Sequence, residues 1–147
     1  MSEPHIDTDI IIRLLSGDDP DKQAAAARLF EEIEAGVLTA RAPVTVVADA
    51  VFVLCSKRLY NMPRSQAAAA LTRLVRLPGF RVDQQRTVLA ALDLFGSTTV
   101  DFGDCMLVAS LRRTGATVLY SYDRDFDRFP GVERTEPGAA DASFEAD

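Results

Sequence analysis

The chain has 147 residues, the size of one domain, and 48% of them are apolar, which is enough to form a core. Its composition excludes wholesale disorder, and no uncharged run approaches the ~18 residues of a membrane span. The net charge of −6, from 16 basic and 22 acidic residues, is unusual for a nucleic-acid-binding protein.

Short strands are predicted to alternate with helices along the whole chain. In the first half these are a strand at 4–7, a helix from Thr8 to about Leu15, a helix from Pro20 that Gly36 ends, a strand at 37–41 and a helix over Val44–Cys55. In the second half they are a helix after Pro63, a strand at 80–82, a helix capped by Asp83 that runs to about Phe95, a helix capped by Asp101 that Gly115 ends, a strand at 116–122 and a turn with aromatic anchors at 123–132.

The segment Val44–Cys55 is rich in valine and would fit a buried strand by composition. Its length, and Pro43 at the position of a first helical turn, favour a buried helix. The segment contains one charge, Asp49, which the apolar pattern places on the inward side. A carboxylate removed from water is normally paired, protonated or bound to a metal, so Asp49 is a candidate functional residue.

The C-terminal residues 133–147 carry five acids and one base and are expected to form an acidic, poorly ordered tail after a domain at 1–132. Without them the domain has 15 bases and 17 acids, so its charge neither supports nor excludes a phosphate-bearing substrate. Residues 1–9 include Glu3, Asp7 and Asp9 and lack the basic start of a signal peptide. Cys55 and Cys105 have no metal-binding spacing and predict buried, reduced thiols, and we expect a cytoplasmic protein.

Alternating strands and helices indicate an α/β domain with a parallel sheet, in which ligands bind beyond the carboxyl ends of the strands. Four acids lie at strand ends or against apolar segments: Asp7, Asp49, Asp104 and Asp123. If they converge, their mutual repulsion requires a divalent cation, and carboxylates are the usual ligands of Mg²⁺ or Mn²⁺. Such a cation commonly serves phosphate chemistry.

Other interpretations of these acids stay open. Asp7 and Asp104 could stabilise helix starts, and Asp123 could be a turn residue. The motif Asp7-Thr8-Asp9 also suits a phosphatase with an aspartate nucleophile, although Ile11 stands where that chemistry usually has a hydroxyl. His5 is the only histidine, and no Walker or GxGxxG glycine loop is present.

Four segments resemble the PIN-domain family, and more closely the VapC-type toxins of toxin–antitoxin pairs: "IDTDIIIRLL", "VVADAVFVL", "VDFGDCMLVASL" and "LYSYDRDFDRFPGV". The resemblance implies a three-layer α/β/α sandwich with a central, mostly parallel sheet and a Mg²⁺- or Mn²⁺-dependent ribonuclease. It places the metal acids at Asp7, Asp104 and Asp123, with Asp125 as a second candidate for the last place. Asp49 falls where the family usually has a glutamate, and a shorter side chain puts full activity in question.

The resemblance also implies supporting residues and partners. Thr8 and Ser121 match small hydroxyl positions beside the metal site. Candidate RNA contacts are the basic residues nearest the proposed site, for which a solvated helix face is the alternative: Lys57, Arg58, Arg112, Arg113 and Arg124. The family implies a homodimer and a cognate antitoxin whose C-terminal segment covers the acidic pocket. A PIN-like module that binds without cutting is the competing interpretation.

Overall fold

The computed structural model describes residues 2–138. The helices are Thr8–Ser16 (α1), Pro20–Glu34 (α2), Val44–Cys55 (α3), Arg64–Val75 (α4), Gln85–Ser97 (α5) and Phe102–Thr114 (α6), with a 3-10 helix at Arg124–Arg128. The strands are Ala40–Ala42 (β1), Phe80–Val82 (β2), Val118–Tyr120 (β3) and Glu133–Thr135 (β4). The described helices are not long and apolar enough to span a bilayer.

The strands are parallel, as the alternation predicted, but they form two pairs. β1 lies beside β2 with Ala40 opposite Phe80, and β3 lies beside β4 with Val118 opposite Glu133. The strand predicted at 4–7 is a single parallel bridge between His5 and Arg41. The α/β character is therefore present, whereas within residues 2–138 the predicted central sheet is reduced to two-stranded pairs. Whether strands join one sheet depends on partners distant in the chain, which a local alternation of strands and helices does not specify.

The helix predicted over Val44–Cys55 is α3, and it is central to the core. Its side chains Val47, Ala50 and Leu54 are fully buried, and the helix contacts α1, α4 and α6. Nearby, the rings of Phe30 and Phe80 pack edge to face with centroids 5.5 Å apart. The buried face of α3 therefore fixes the position of the residues on its exposed face.

The start of α5 differs from the prediction. Gln84, not Asp83, occupies the N-cap position, with a left-handed φ of 55° and no side-chain cap. The carboxylate of Asp83 instead pairs with the guanidinium of Arg41 at 3.3 Å, so a cross-strand ion pair has replaced the expected cap. The helix also continues to Ser97, two residues past Phe95.

Both cysteines are free, and they differ in burial. Cys105 is buried, as predicted, while Cys55 is half-buried at the end of α3. Removal from water raises the pKa of both thiols, which disfavours the reactive thiolate.

Ordered structure continues past residue 132. Strand β4, Glu133–Thr135, lies in the segment predicted to be a tail, and it is paired along its length with β3. Arg134 adds an ion pair with Asp127 at 2.9 Å. The rest of the segment predicted to be a tail, residues 139–147, lies outside the described residues.

Candidate metal and nucleic-acid site

Asp7 and Asp49 face the same cavity. It has a volume of about 480 Å³ and is also lined by Thr8 and Asp9. Asp7 precedes α1, and its Oδ1 accepts a hydrogen bond from the Thr8 amide at 2.7 Å. The capping interpretation of Asp7 is therefore correct, and the same geometry leaves its carboxylate exposed in the cavity.

Asp49 is exposed, which corrects the predicted inward orientation. Five residues of α3 form its buried face: Val46, Val47, Ala50, Val51 and Leu54. Thr45, Asp49 and Phe52 are exposed at positions i, i+4 and i+7, which share one helix face. Asp49 therefore does not bear the cost of burial that motivated its choice, although it still lies in one cavity with Asp7.

A second group of acids surrounds the start of α6. Asp104 lies in the first turn of this helix and is partly buried. Desolvation by burial raises the pKa of Asp104, and the neighbouring carboxylates of Asp123, Asp101 and Asp125 raise it further, in that order. Ionised, these groups repel one another, and a cation between them would relieve the repulsion.

Asp123 is held by two hydrogen bonds. Its amide donates to the hydroxyl of Ser121 at 3.0 Å, and its Oδ1 accepts from the amide of Asp125 at 2.9 Å. Asp125 is instead paired with Arg128 at 3.7 Å, and its effect on Asp104 is the weaker of the two. Asp123 therefore caps the 3-10 helix, as the turn-residue interpretation predicted, and its role as a metal acid, like that of Asp125 and of Ser121 beside it, stays a prediction.

Sequence reasoning assigned Asp101 only a capping role and missed its part in this group. Asp101 occupies the N-cap position of α6, yet its side chain makes no capping hydrogen bond. It lines a second cavity of about 450 Å³ and contributes to the raised pKa of Asp104. The spacing of Asp101 and Asp104 would have revealed it, because residues three apart at a helix start lie on the same side.

The predicted acids are not all brought into one cavity. Phe52 lines both cavities, with Asp7 and Asp49 in one and Asp101 in the other. Across residues 2–138, no group of three or more acidic, histidine or cysteine side chains is close enough to hold one metal ion. The expected four-acid pocket is therefore divided into two groups in this structure.

The donor chemistry nevertheless fits a hard divalent cation. The groups offer carboxylate oxygens, and crowding around Asp104 leaves excess negative charge. Mg²⁺ is commonly bound through one or two carboxylates, its other ligands being water and substrate phosphate. Two carboxylates with water would suffice, so a cage of three or more protein ligands is not required.

The basic residues proposed to contact RNA occupy different surroundings. Lys57, Arg58 and Arg124 are exposed, the first two in the turn that follows α3. Arg112 lies in the last turn of α6, at the opposite end of the helix from Asp104, and donates to the carbonyl of Pro130 at 2.9 Å. Arg113 is exposed as well. None of the five has an ion-pair partner within the described chain, so RNA contact by these residues stays a prediction.

An arginine at the rim of the first cavity is already paired. The Nη1 of Arg13 donates to Asp18 at 2.9 Å, and the hydroxyl of Tyr60 donates to the same carboxylate at 2.6 Å. These hydrogen bonds hold the pKa of Asp18 at about 2, with that from Tyr60 the largest cause. Arg13 and Tyr60 both line the cavity with Asp7 and Asp49. Asp18 thus engages Arg13, and the ion pairs formed within residues 2–138 include neither Asp7 nor Asp49.

Comparison with known families identifies the domain. The chain matches the PIN domain family over residues 5–132. It is a member of the PIN domain family. PIN domains are typically nucleases that use divalent metal ions, which agrees with acids at the ends of parallel strands and at the start of α6. A comparison with curated proteins finds no match.

Proposed function

We propose that this PIN domain is a Mg²⁺- or Mn²⁺-dependent endoribonuclease that acts as the VapC-type toxin of a toxin–antitoxin pair. The observation that carries the nuclease assignment is the match to the PIN domain family over residues 5–132, and the acids Asp101, Asp123 and Asp125 around Asp104 offer a place for its cation. Ionised carboxylates that repel one another also repel the negatively charged phosphates of RNA. A cation is therefore needed before such a substrate can approach.

The chain's own residues would prepare the site in three ways. Asp7 and Asp123 are oriented by backbone amides, from Thr8 and Asp125 respectively. Asp104 is partly buried, which limits water around its carboxylate. Asp49 is one methylene shorter than glutamate and would act through water. The metal would be held directly by Asp104 and Asp123, and Asp7 would act on it through water, because within residues 2–138 no three acids are close enough to share one ion. When bound, it would supply an activated water and stabilise the departing oxygen.

The proposed partners follow from the surface beside the acids. Phe52 is 75% exposed and Leu59 is 59% exposed, both on or just after α3. An antitoxin segment with apolar side chains and an arginine would cover these residues and neutralise the acids. A homodimer and a cytoplasmic location belong to the same proposal.

Cleavage of RNA by the purified full chain, freed of antitoxin, tests the nuclease assignment. We expect cleavage with Mg²⁺ or Mn²⁺ and none after addition of EDTA, and cleavage that survives EDTA would reject the metal mechanism. Expression in cells tests the toxin assignment. We expect growth arrest that is relieved by co-expression of the product of the adjoining reading frame, and arrest independent of Asp7 would reject it.

The second candidate is a PIN-like module that binds without cutting. It is favoured by aspartate at position 49 and by the lack, among residues 2–138, of three acids close enough to hold one metal ion. Titration with Mn²⁺ discriminates the two functions. Binding that Asp104→Asn abolishes supports the nuclease, whereas no carboxylate-dependent binding supports the module.

A further inference from the structure

Arg64, the first residue of α4, is bonded to the connection between α5 and α6. Its Nε donates to the carbonyl oxygens of Phe95 at 3.1 Å and Thr98 at 2.9 Å, and its Nη2 donates to the carbonyl oxygen of Val100. The guanidinium carbon lies 3.6 Å from the centroid of the Phe95 ring. Of the ion pairs formed within residues 2–138, none includes Arg64, so its charge serves these carbonyls.

The carbonyls that Arg64 contacts need an external donor. The last carbonyls of a helix have no partner within the helix, and a cation near them is favourable. Helix α5 has no basic residue in its last turn. A neighbouring helix, α4, therefore supplies the charge that α5 lacks, and the flat guanidinium contacts Phe95, Thr98 and Val100 together.

The connection leads directly into the second group of acids. Val100 is followed by Asp101, and Asp104 lies one turn later. Because the Asp101 side chain makes no capping bond, the start of α6 depends on this connection. Within the described chain, the connection between α5 and α6 has one direct hydrogen bond to the segment that holds Asp123 and Asp125. Arg128 donates this bond to the Thr99 hydroxyl at 3.1 Å.

We propose that Arg64 is a positioning residue for the metal site. It fixes the connection between α5 and α6, and thereby the place of Asp101 and Asp104 relative to Asp123, against the repulsion among these carboxylates. This role rests on the proposed function, because the spacing of these acids matters for metal binding only if they bind a cation. It predicts that loss of the guanidinium weakens metal binding in a protein that remains folded.

The decisive variant is Arg64→Met in the full chain, because methionine is unbranched and apolar and cannot donate to the carbonyls. Calorimetric titration should show about tenfold weaker Mn²⁺ affinity, the typical loss when a residue that orients metal ligands is removed. Arg64→Lys, which keeps a donor without the planar fork, should recover part of that affinity. Amide hydrogen exchange should quicken at Cys105, whose amide donates to the Asp101 carbonyl.

Gln85→Met is the matched control. This residue, the first of α5, also donates from its side chain to a carbonyl at the end of the preceding helix, that of Val75, at 2.9 Å. Its loss should leave Mn²⁺ affinity within twofold of wild type. A general effect of losing a side chain that bonds a helix-end carbonyl would lower affinity in both variants and would overturn the specific role of Arg64.

The failures of the two proposals are distinguishable. A wild-type chain that binds no Mn²⁺ overturns the proposed function and this role with it. Wild-type binding that a folded Arg64→Met retains within twofold overturns the role of Arg64 alone. If Arg64→Met does not fold, Arg64→Lys decides: a threefold or larger loss of affinity supports the role, and unchanged affinity overturns it.

Discussion

At the residue scale, the folded state disfavours the ionised form of the Asp104 carboxyl group. Burial and the charges of Asp123, Asp101 and Asp125 raise its pKa above the ordinary value. The folded state therefore holds the proton more tightly than the unfolded state. The stability that protonated Asp104 contributes is fully present below the ordinary pKa of the carboxyl group. It is lost as the pH rises through the pKa that Asp104 has in the folded state.

The variant Asp104→Asn should consequently stabilise the metal-free protein at pH 7 while abolishing nuclease activity. The amide removes the repulsion without changing the shape of the side chain, and we expect a melting temperature higher by roughly 2 °C. Thermal unfolding at pH 7 and pH 3 measures this, and the difference should disappear at pH 3. A lower melting temperature at pH 7 would show that the carboxylate has a stabilising partner.

For Asp18 the fold shifts the pKa in the opposite direction, downwards. Hydrogen bonds from Tyr60, Ser16 and Arg13 lower its pKa to about 2, below the ordinary value of 3.8. Its ionised form therefore stabilises the fold above pH 3.8, and this contribution is lost as the pH falls towards 2.

Asp18→Asn should lower the melting temperature slightly at pH 7, because the cluster is exposed to water. The gap from wild type should narrow between pH 4 and pH 2. A gap that persists unchanged at low pH would mean that packing, rather than charge, accounts for the effect.

The exposure of Asp49 changes what its removal should do. Because the side chain lies on the solvent face of α3, Asp49→Ala should leave the melting temperature within about 1 °C of wild type. The same change should reduce Mn²⁺ affinity or RNA cleavage, since Asp49 shares a cavity with Asp7. Asp49→Glu should raise activity if reach limits the aspartate. Unfolding of Asp49→Ala would show a structural role instead.

At the scale of elements, the helices were largely predictable from the sequence, and the sheet was not. The apolar spacing and Pro43 identified α3, and Gly115, with a left-handed φ of 76°, ended α6 as expected. The strand at 4–7 was reduced to one bridge because pairing depends on distant partners that a local pattern does not specify. For the same reason β4 was placed in the tail, although Glu133–Thr135 pairs with β3.

Local sequence patterns singled out individual acids and did not give their arrangement. Asp7, Asp104 and Asp123 were chosen from strand ends and helix starts, and each borders one of the two acid groups. The many apolar residues of α3 suggested burial on all sides, yet five of its positions suffice to fill the core, which left Asp49 and Phe52 outside. The separation of Asp7 and Asp49 from the acids around Asp104 is a tertiary feature with no local signal.

A close backbone approach couples α2 to β2 and gives a prediction at this scale. A Cβ on Gly79 would lie 2.9 Å from the carbonyl oxygen of Ile33, whereas one on Gly103 would meet nothing within 4 Å. Gly79→Ala should destabilise the fold by about 1–3 kcal/mol through overpacking. Gly103→Ala, in the first turn of α6, should match or exceed wild-type stability. Urea unfolding compares the two, and equal stabilities would contradict the predicted clash.

At the scale of the whole molecule, acids from two separate groups are proposed to serve one reaction. Asp7 belongs to the cavity beside α1, and Asp104 to the group at the start of α6. Membership of the PIN domain family supports a shared role, and the charge crowding supplies the physical need for a cation. If the two groups worked independently, removing one would leave the other active.

The most direct test is the rate of Mn²⁺-dependent RNA cleavage by wild type, Asp7→Asn and Asp104→Asn, measured on folded full-length chains. We expect each substitution alone to reduce the rate by about 100-fold or more, because metal-bound charge stabilisation of this kind supplies several kcal/mol. A near-wild-type rate in either variant would contradict the proposal that both groups form one catalytic centre.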